Sequence, residues 1–380
     1  MRWLVADSIW WGGRVRKGVA LRIAENGTVK PVPAELAPLA GTRRFPGTLL
    51  PGLVDAHVHS ALVDLAEVRA GGIAAVWDLG GVPAQVRDLA ERAERQAAGA
   101  GRGAGGAGGA GRGAGGAGRG AGGADGGSGP GAAAGDLASG TEGRLPRIRY
   151  AGPFLIAPGG YPSDRSWAPA GSWREISSAA DAGVAVAEAW SQGASLIKVT
   201  AHTGGPLLPQ DTLTALVAAA RASGLEVVMH AEGPGTVAAA LAAGVGSLAH
   251  TPWTEPLDDA LVRACAARMR WISTLDIHGW GDPDPAREIA VANLRRFIAY
   301  GGSVRYGTDL GNGPLPAGIN AREIRSLLEA GLAPDAVLTA MTEKDSTELS
   351  WVPDGLDLSP EAFAESLTAA RVIDDTTRPR

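Results

Sequence analysis

The chain has 380 residues, of which 45% are hydrophobic and 20% charged, and a formal net charge of −5. Those values describe a globular protein with a large core, on the scale of one big α/β domain; the mild negative charge excludes a nucleic-acid partner gripped through a basic face. A single cysteine, Cys265, excludes an intrachain disulfide and a cysteine-rich metal site, so any metal chemistry must use histidine and oxygen ligands.

The N-terminal stretch "MRWLVADSIWWGGRV" lacks a long apolar segment and a small-residue cleavage site, and no run reaches the ~18 apolar residues of a membrane span. The expectation is a soluble, cytoplasmic protein without a membrane partner. Residues 1–50 alternate apolar and polar positions in "WLVADSIWW", "GVALRIAENGTVKPV" and "TRRFPGTLLPG", with a turn at Asn26–Gly27. This pattern predicts a small antiparallel β element.

Short apolar strands then alternate with helix-like segments over 51–345. The strands are predicted near Leu49–Val58, Ile73–Leu79, Ile148–Leu155, Leu196–Thr200, Glu226–His230, Ser247–His250, Trp271–Leu275 and Ser303–Thr308. Amphipathic stretches such as "QDTLTALVAAARASG" and "GPGTVAAALAAG" lie between them, each closing on a glycine suited to a helix C-terminus. Eight buried strands alternating with helices predict an α/β fold, a (β/α)8 TIM barrel.

Residues 99–135, "GAGRGAGGAGGAGRGAGGAGRGAGGADGGSGPGAAAG", interrupt the pattern. Glycine loses too much backbone entropy on ordering, and alanine offers too little surface to bury, so this is expected to be a disordered, solvated insertion. Residues 346–380 form a C-terminal extension in which "SPEAFAESLTAA" predicts a short helix opened by Ser359 and Pro360, and "DDTTRPR" a frayed end.

The six histidines are His57, His59, His202, His230, His250 and His278. All fall at or just beyond the C-terminal ends of predicted strands, the face on which barrels build active sites. In a strand, residues i and i+2 point the same way, so His57 and His59 both face the interior and can reach one ion. Neutral imidazole suits zinc and similar divalent metals. Asp55 shares that face one step deeper and can orient a ligand. Any one histidine alone would read as a packed or surface residue; the clustering is what points to metal.

Lys198 sits mid-strand in "SLIKVTAHTGG". Burial pushes an ammonium towards its neutral amine, which can take up carbon dioxide to form a carbamate able to bridge two metals. A snorkelling or ion-paired lysine is the alternative. Asp309 ends the eighth strand in "VRYGTDLGNG" and can bind a metal and take a proton from its water, unless it is only a turn aspartate.

These residues resemble the amidohydrolase superfamily of metal-dependent hydrolases. The matching pieces, in the family's order, are "PGLVDAHVH", "SLIKVT", "VVMHAEG", "GSLAHTPW" and "YGTDLG", spanning roughly residues 49–345. The resemblance implies a binuclear centre: His57 and His59 on the buried metal, His230 and His250 on the more exposed one, carboxylated Lys198 bridging them, and Asp309 on the first metal as general base. It implies zinc, manganese, iron or nickel, and hydrolysis of an amide, cyclic amide or dipeptide-like C–N bond by a metal-activated hydroxide. The nearest branches are imidazolonepropionase-like and Xaa-Pro dipeptidase-like enzymes, on the strength of "HAEG" and "TGG". The chain departs from the family in its insertion and in a tail that reads mostly helical, where relatives complete a small β-sandwich; residues 1–50 with the C-terminal part are expected to make a partial β-sandwich or to have it replaced.

His202, His278, Tyr161 and Arg165 are expected to contact a small-molecule substrate, Arg165 by pairing with a carboxylate. A mononuclear deaminase with unmodified Lys198, or a non-catalytic metal-binding barrel, are the alternatives. The sequence is also compatible with a homo-oligomer.

Overall fold

The structure, a computed structural model, describes residues 1–102, 143–344, 346–374 and 377. The first strands are β1 (Arg2–Trp10), β2 (Val15–Arg16), β3 (Val19–Ile23), β4 (Val29–Pro33) and β5 (Thr42–Pro51). β3 and β4 form a hairpin whose turn is closed by Ala24 N–H donating to the Thr28 carbonyl (2.9 Å), with Gly27 at φ +81°. A residue with a side chain rarely adopts that angle, which is why the turn carries Asn-Gly.

Next come β6 (Leu53–Val58), α1 (Leu65–Ala70), β7 (Ile73–Asp78), α2 (Pro83–Arg102), β8 (Arg147–Tyr150), β9 (Phe154–Ile156), β10 (Trp173–Glu175), α3 (Ala179–Ser191), β11 (Leu196–His202) and α4 (Gln210–Ala222). The chain continues through β12 (Glu226–Glu232), α5 (Thr236–Ala243), β13 (Ser247–Leu248), α6 (Asp259–Arg268), β14 (Arg270–Ile272), α7 (Pro285–Ala299) and β15 (Ser303–Arg305). It ends with α8 (Ala321–Glu329), α9 (Pro334–Ala340), β16 (Leu349–Val352), α10 (Phe363–Thr368) and β17 (Arg371–Val372).

The strands make three sheets. One is seven-stranded, ordered β17-β16-β5-β1-β3-β4 with β2 on β1; the others run β10-β9-β11-β12-β13-β14-β15 and β6-β7-β8. All pairings in the last two are parallel. Backbone bonds also join their edges. Ser195 N–H donates to the Tyr150 carbonyl (2.9 Å) on one side, and Ala56 N–H to the Tyr306 carbonyl (2.9 Å) on the other.

Alternation sorts the strand residues. Val54, Ala56, Trp77, Leu79, Ala151, Leu196, Val228, Ala249 and Ile272 pack together on one face of the parallel strands. Ile197, Val199, Val227 and Met229 point the other way, into the cluster that takes in the helices. Lys198 and His230 lie two residues beyond Leu196 and Val228, so the period of two carries them to the inner face.

Several boundaries differ from the sequence expectation. The predicted strand over Leu49–Val58 is two strands, because the chain passes from the N-terminal sheet to the parallel one at Gly52. A side chain there would meet the Cβ atoms of Ala74 and Glu348 at 2.8 Å. The strand over Ile148–Leu155 breaks at Gly152, φ +76°. The tail is not mostly helical: β16 pairs antiparallel with β5, and β17 with β16, so the C-terminal extension completes the N-terminal sheet. Helix α2 runs through Gly99 to Arg102, since extending a formed helix costs little. The remaining 103–135 of the predicted insertion, and most of "DDTTRPR", lie outside the described residues. Among the described residues no helix is long and apolar enough to cross a membrane.

Candidate metal centre

The C-terminal ends of the parallel strands surround a cavity of about 360 Å³, lined among others by His57, His59, Tyr161, Lys198, His230, Glu232, His250, Trp253 and Asp309. At its floor the Nε2 atoms of His57 and His59 lie 3.0 and 3.1 Å from Asp309 Oδ1. One ligand atom from each of the three falls within 4.8 Å of the others.

The surroundings fix each ring. His57 Nδ1 is 2.9 Å from the Ala249 carbonyl, and His59 Nδ1 is 2.9 Å from the Gly80 carbonyl. A carbonyl only accepts, so each Nδ1 carries a hydrogen, and in the neutral ring Nε2 keeps its lone pair. Two lone pairs then face the carboxylate oxygen Asp309 Oδ1, which is buried and has no hydrogen-bond partner among the described residues. Three electron-rich atoms meeting in a buried space are stable around a cation. The donor set, two imidazoles and a carboxylate, fits a divalent metal.

The backbone holds this arrangement. Asp309 has φ +60°, an uncommon angle for a non-glycine residue, and its Oδ2 accepts from Asn312 Nδ2 (2.9 Å). Asp55 Oδ1 accepts from the backbone N–H of His57 and of Thr308 (both 3.0 Å), and its Oδ2 from the Thr308 hydroxyl (2.5 Å). It thus ties the His57 strand to the Asp309 loop. Burial nevertheless pushes its carboxyl up to about 7. Asp78 does the same for His59, accepting from Ser60 N–H (2.8 Å) and Gly80 N–H (3.0 Å).

His230 and His250 lie on the same cavity wall, with ring centroids 4.9 Å apart and His250 4.7 Å from His57. His250 Nδ1 is 2.9 Å from Thr274 Oγ1. His230 is held the other way round: its Nε2 is 2.8 Å from Glu232 Oε2, which leaves Nδ1 as the nitrogen that Glu232 does not engage. Glu232 Oε1 lies 3.2 Å from His202 Nε2, whose Nδ1 accepts the Gly204 N–H at 3.0 Å.

Burial lowers His57 to about 4 against the pull of Asp309, so that imidazole is neutral near pH 7. At His59 burial is outweighed by the Asp309 carboxylate, which raises the imidazole, and against burial the histidines in turn hold Asp309 well below the usual carboxylate range. Lys198 is buried and pushed down to about 7 by that burial, opposed by Asp309 and Asp78; a large fraction of the amine is therefore uncharged near neutrality.

The four residues predicted to touch substrate separate. Tyr161 lines the cavity, stacked 5.1 Å from His230 and 5.3 Å from His202. His202 and His278 stand behind the lining, His278 beyond Trp253 at 5.2 Å. Arg165 is outside it, with its Nε 3.4 Å from Asp164 and its guanidinium over Tyr161 at 5.5 Å. Sequence reasoning missed Glu232, Thr274, Asp78 and Asn312. Only Glu232 carried a signal, an acidic residue two places after His230 on the same strand face.

No protein-family model matches the chain, and no curated protein matches it. Solved structures do. A Xaa-Pro dipeptidase with methionine bound in its active site superimposes with TM-score 0.70 at 17% identity, over 98% of both chains. An ochratoxinase from A. niger gives 0.70 at 15%, over 98% of this chain and 95% of the other. A molinate hydrolase gives 0.68 at 15%, over 98% and 93%. The chain shares the fold of these solved structures.

Proposed function

We propose that the protein is a metal-dependent hydrolase that cleaves a C–N bond in a small amide, cyclic amide or dipeptide-like substrate. The observation that carries the reading is the buried, unpartnered Asp309 Oδ1 facing two imidazole nitrogens whose hydrogens are committed elsewhere. The shared fold with a Xaa-Pro dipeptidase and an amidohydrolase supports it. In this reading the two parallel sheets and their joining bonds make one (β/α)8 barrel over 51–345. The sheet of residues 1–50, completed by 346–380, is an appended β domain.

His57, His59 and Asp309 would hold one divalent ion, and His230 and His250 a second, with carboxylated Lys198 between them. Zinc, manganese, iron and nickel all accept these donors. When bound, such ions polarise a carbonyl and acidify water. The chain's own groups do the rest. Asp309 takes the proton of the attacking water and passes it to the leaving amine. Glu232 holds His230 in one tautomer, and Asp55 and Asp78 fix the loops of the first ion. Tyr161 and Trp253 wall the substrate off from water. His202, His278 and Arg165 shape the pocket from one step back.

A mononuclear deaminase with unmodified Lys198 is the second reading. One observation favours it: among the described residues, only His57, His59 and Asp309 bring ligand atoms so close together. The test is a panel of N-acyl amino acids, lactams, Xaa-Pro dipeptides and amino-heterocycles, assayed with zinc or manganese. Amide hydrolysis that stops on chelation and returns with metal is the expected result. Ammonia release from the heterocycles alone would favour the deaminase, and no metal-dependent turnover of any compound would overturn both.

A further inference from the structure

We infer that Thr274 is a positioning residue whose hydroxyl aims His250 at the metal pocket, held for that purpose in a left-handed backbone conformation. The inference rests on the reading of His250 as a metal ligand. Strand β14 ends at Ile272, and Ser273 N–H still donates to the Arg305 carbonyl at 2.9 Å. Thr274 then turns to φ +45°, ψ +39°, although it is β-branched and buried. A Cβ is crowded against the following carbonyl there, and branching makes it worse; glycine would take the same conformation freely.

Neighbours on every side hold the strain. Thr274 N–H donates to the Gly307 carbonyl (2.9 Å), and the short 3-10 turn Leu275–Ile277 follows at once. That turn is pinned where Asp276 N–H donates to Glu323 Oε2 at 2.8 Å. Strain of this kind persists where the surrounding structure over-determines it, and it concentrates at functional sites.

The strained geometry sets Oγ1 2.9 Å from His250 Nδ1, across 24 residues of sequence. A hydroxyl can donate or accept; where Nδ1–H donates to it, Nε2 keeps the lone pair a metal needs. For His57 and His59 the same job falls to backbone carbonyls, which no substitution can remove. For His250 it falls to a side chain, so it can be deleted.

The experiment titrates metal-free protein with zinc against a chelating dye and reads the affinity of the second ion and the melting temperature. The variants are Thr274→Ser, Thr274→Val, Thr274→Gly and His250→Ala. Thr274→Ser should bind like the parent protein. Thr274→Val and Thr274→Gly should lose about tenfold to a hundredfold in second-ion affinity, as expected when a ligand's supporting hydrogen bond is removed. Thr274→Gly should do so with the melting temperature kept, since glycine suits the conformation. A lowered melting temperature in Thr274→Gly with zinc affinity intact would mark Thr274 as merely structural and overturn the inference. His250→Ala separates the two levels. If it loses the second ion while the valine and glycine variants keep it, the positioning role alone fails. If it binds two ions like the parent protein, the assignment of His250 as a ligand fails as well.

Discussion

The two ends of the parallel strands both gather charge, and they treat it in opposite ways. Towards the strand starts, Trp77, Arg149, Arg305 and Glu343 form a closed set. Glu343 Oε1 accepts from Trp77 Nε1 (3.0 Å) and Arg305 (3.1 Å) and lies 3.6 Å from Arg149. Both guanidiniums stack on Trp77, at 4.6 and 4.9 Å. Arg270 meets Glu226 at 2.6 Å beside them. The buried Arg305 Nε has no acceptor among the described residues. Cation meets anion, and nothing further is required. At the other end, acceptor meets acceptor: Asp309 Oδ1 faces two imidazole lone pairs. A cluster of charge alone therefore does not mark a functional site. What marks it is a buried carboxylate that converges with two imidazoles on one space.

That contrast can be broken most forcefully at Asp309. Asp309→Ala should lower kcat by roughly a thousandfold or more, the scale of losing a general base. The facing imidazoles hold this carboxylate well below its usual range, so its loss should also lower the melting temperature. An unaltered kcat would mean that the carboxylate is only structural. Next in size, Glu232→Ala should weaken metal binding by about tenfold to a hundredfold, because His230 loses the partner that fixes its tautomer. Metal competition titration reads this directly, and unaltered affinity would dismiss Glu232 as a bystander.

At the opposite end only stability should fall. Glu343→Ala strands Trp77 Nε1 and the arginines, so chemical denaturation should show a loss of about 1–3 kcal/mol. Its kcat/KM and metal content should match the parent protein. An effect of similar size sharpens the comparison between two buried carboxyl groups. Glu323 is buried like Asp309, with its Oε2 accepting from the Asp276 N–H and its Oε1 without a hydrogen-bond partner among the described residues, and burial raises its carboxyl to about 7. An acid whose folded pKa is raised contributes its stability below the unfolded value, near 4.5, and loses it as pH climbs through about 7. Parent stability should therefore fall relative to Glu323→Gln between pH 5 and 8, by on the order of 1–3 kcal/mol. Parallel pH profiles of the two proteins would contradict this.

Much of the inner face was legible in the sequence, because strand alternation is local. His57 and His59 two residues apart, Lys198 inside an apolar strand and Asp309 in a glycine-rich loop all announce their direction without tertiary knowledge. The supporting residues were not legible, since their roles depend on distant contacts: Thr274 reaches His250, Asp78 holds Ser60, and Asn312 acts only because Asp309 turns left-handed. Position at a strand end gives the face of a residue but not its depth, so His202, His278 and Arg165 could not be told from Tyr161. The tail misled for a related reason. β16 and β17 are too short to show a period, and they are strands only because β5 offers an edge to pair with.

The most direct test of the central claim is the metal content of purified protein, measured by elemental analysis beside an intact mass taken under gentle conditions. The account predicts two divalent ions per chain and the mass of one added carbon dioxide on Lys198. A chain that holds no metal, even after supplementation with zinc or manganese, would contradict it.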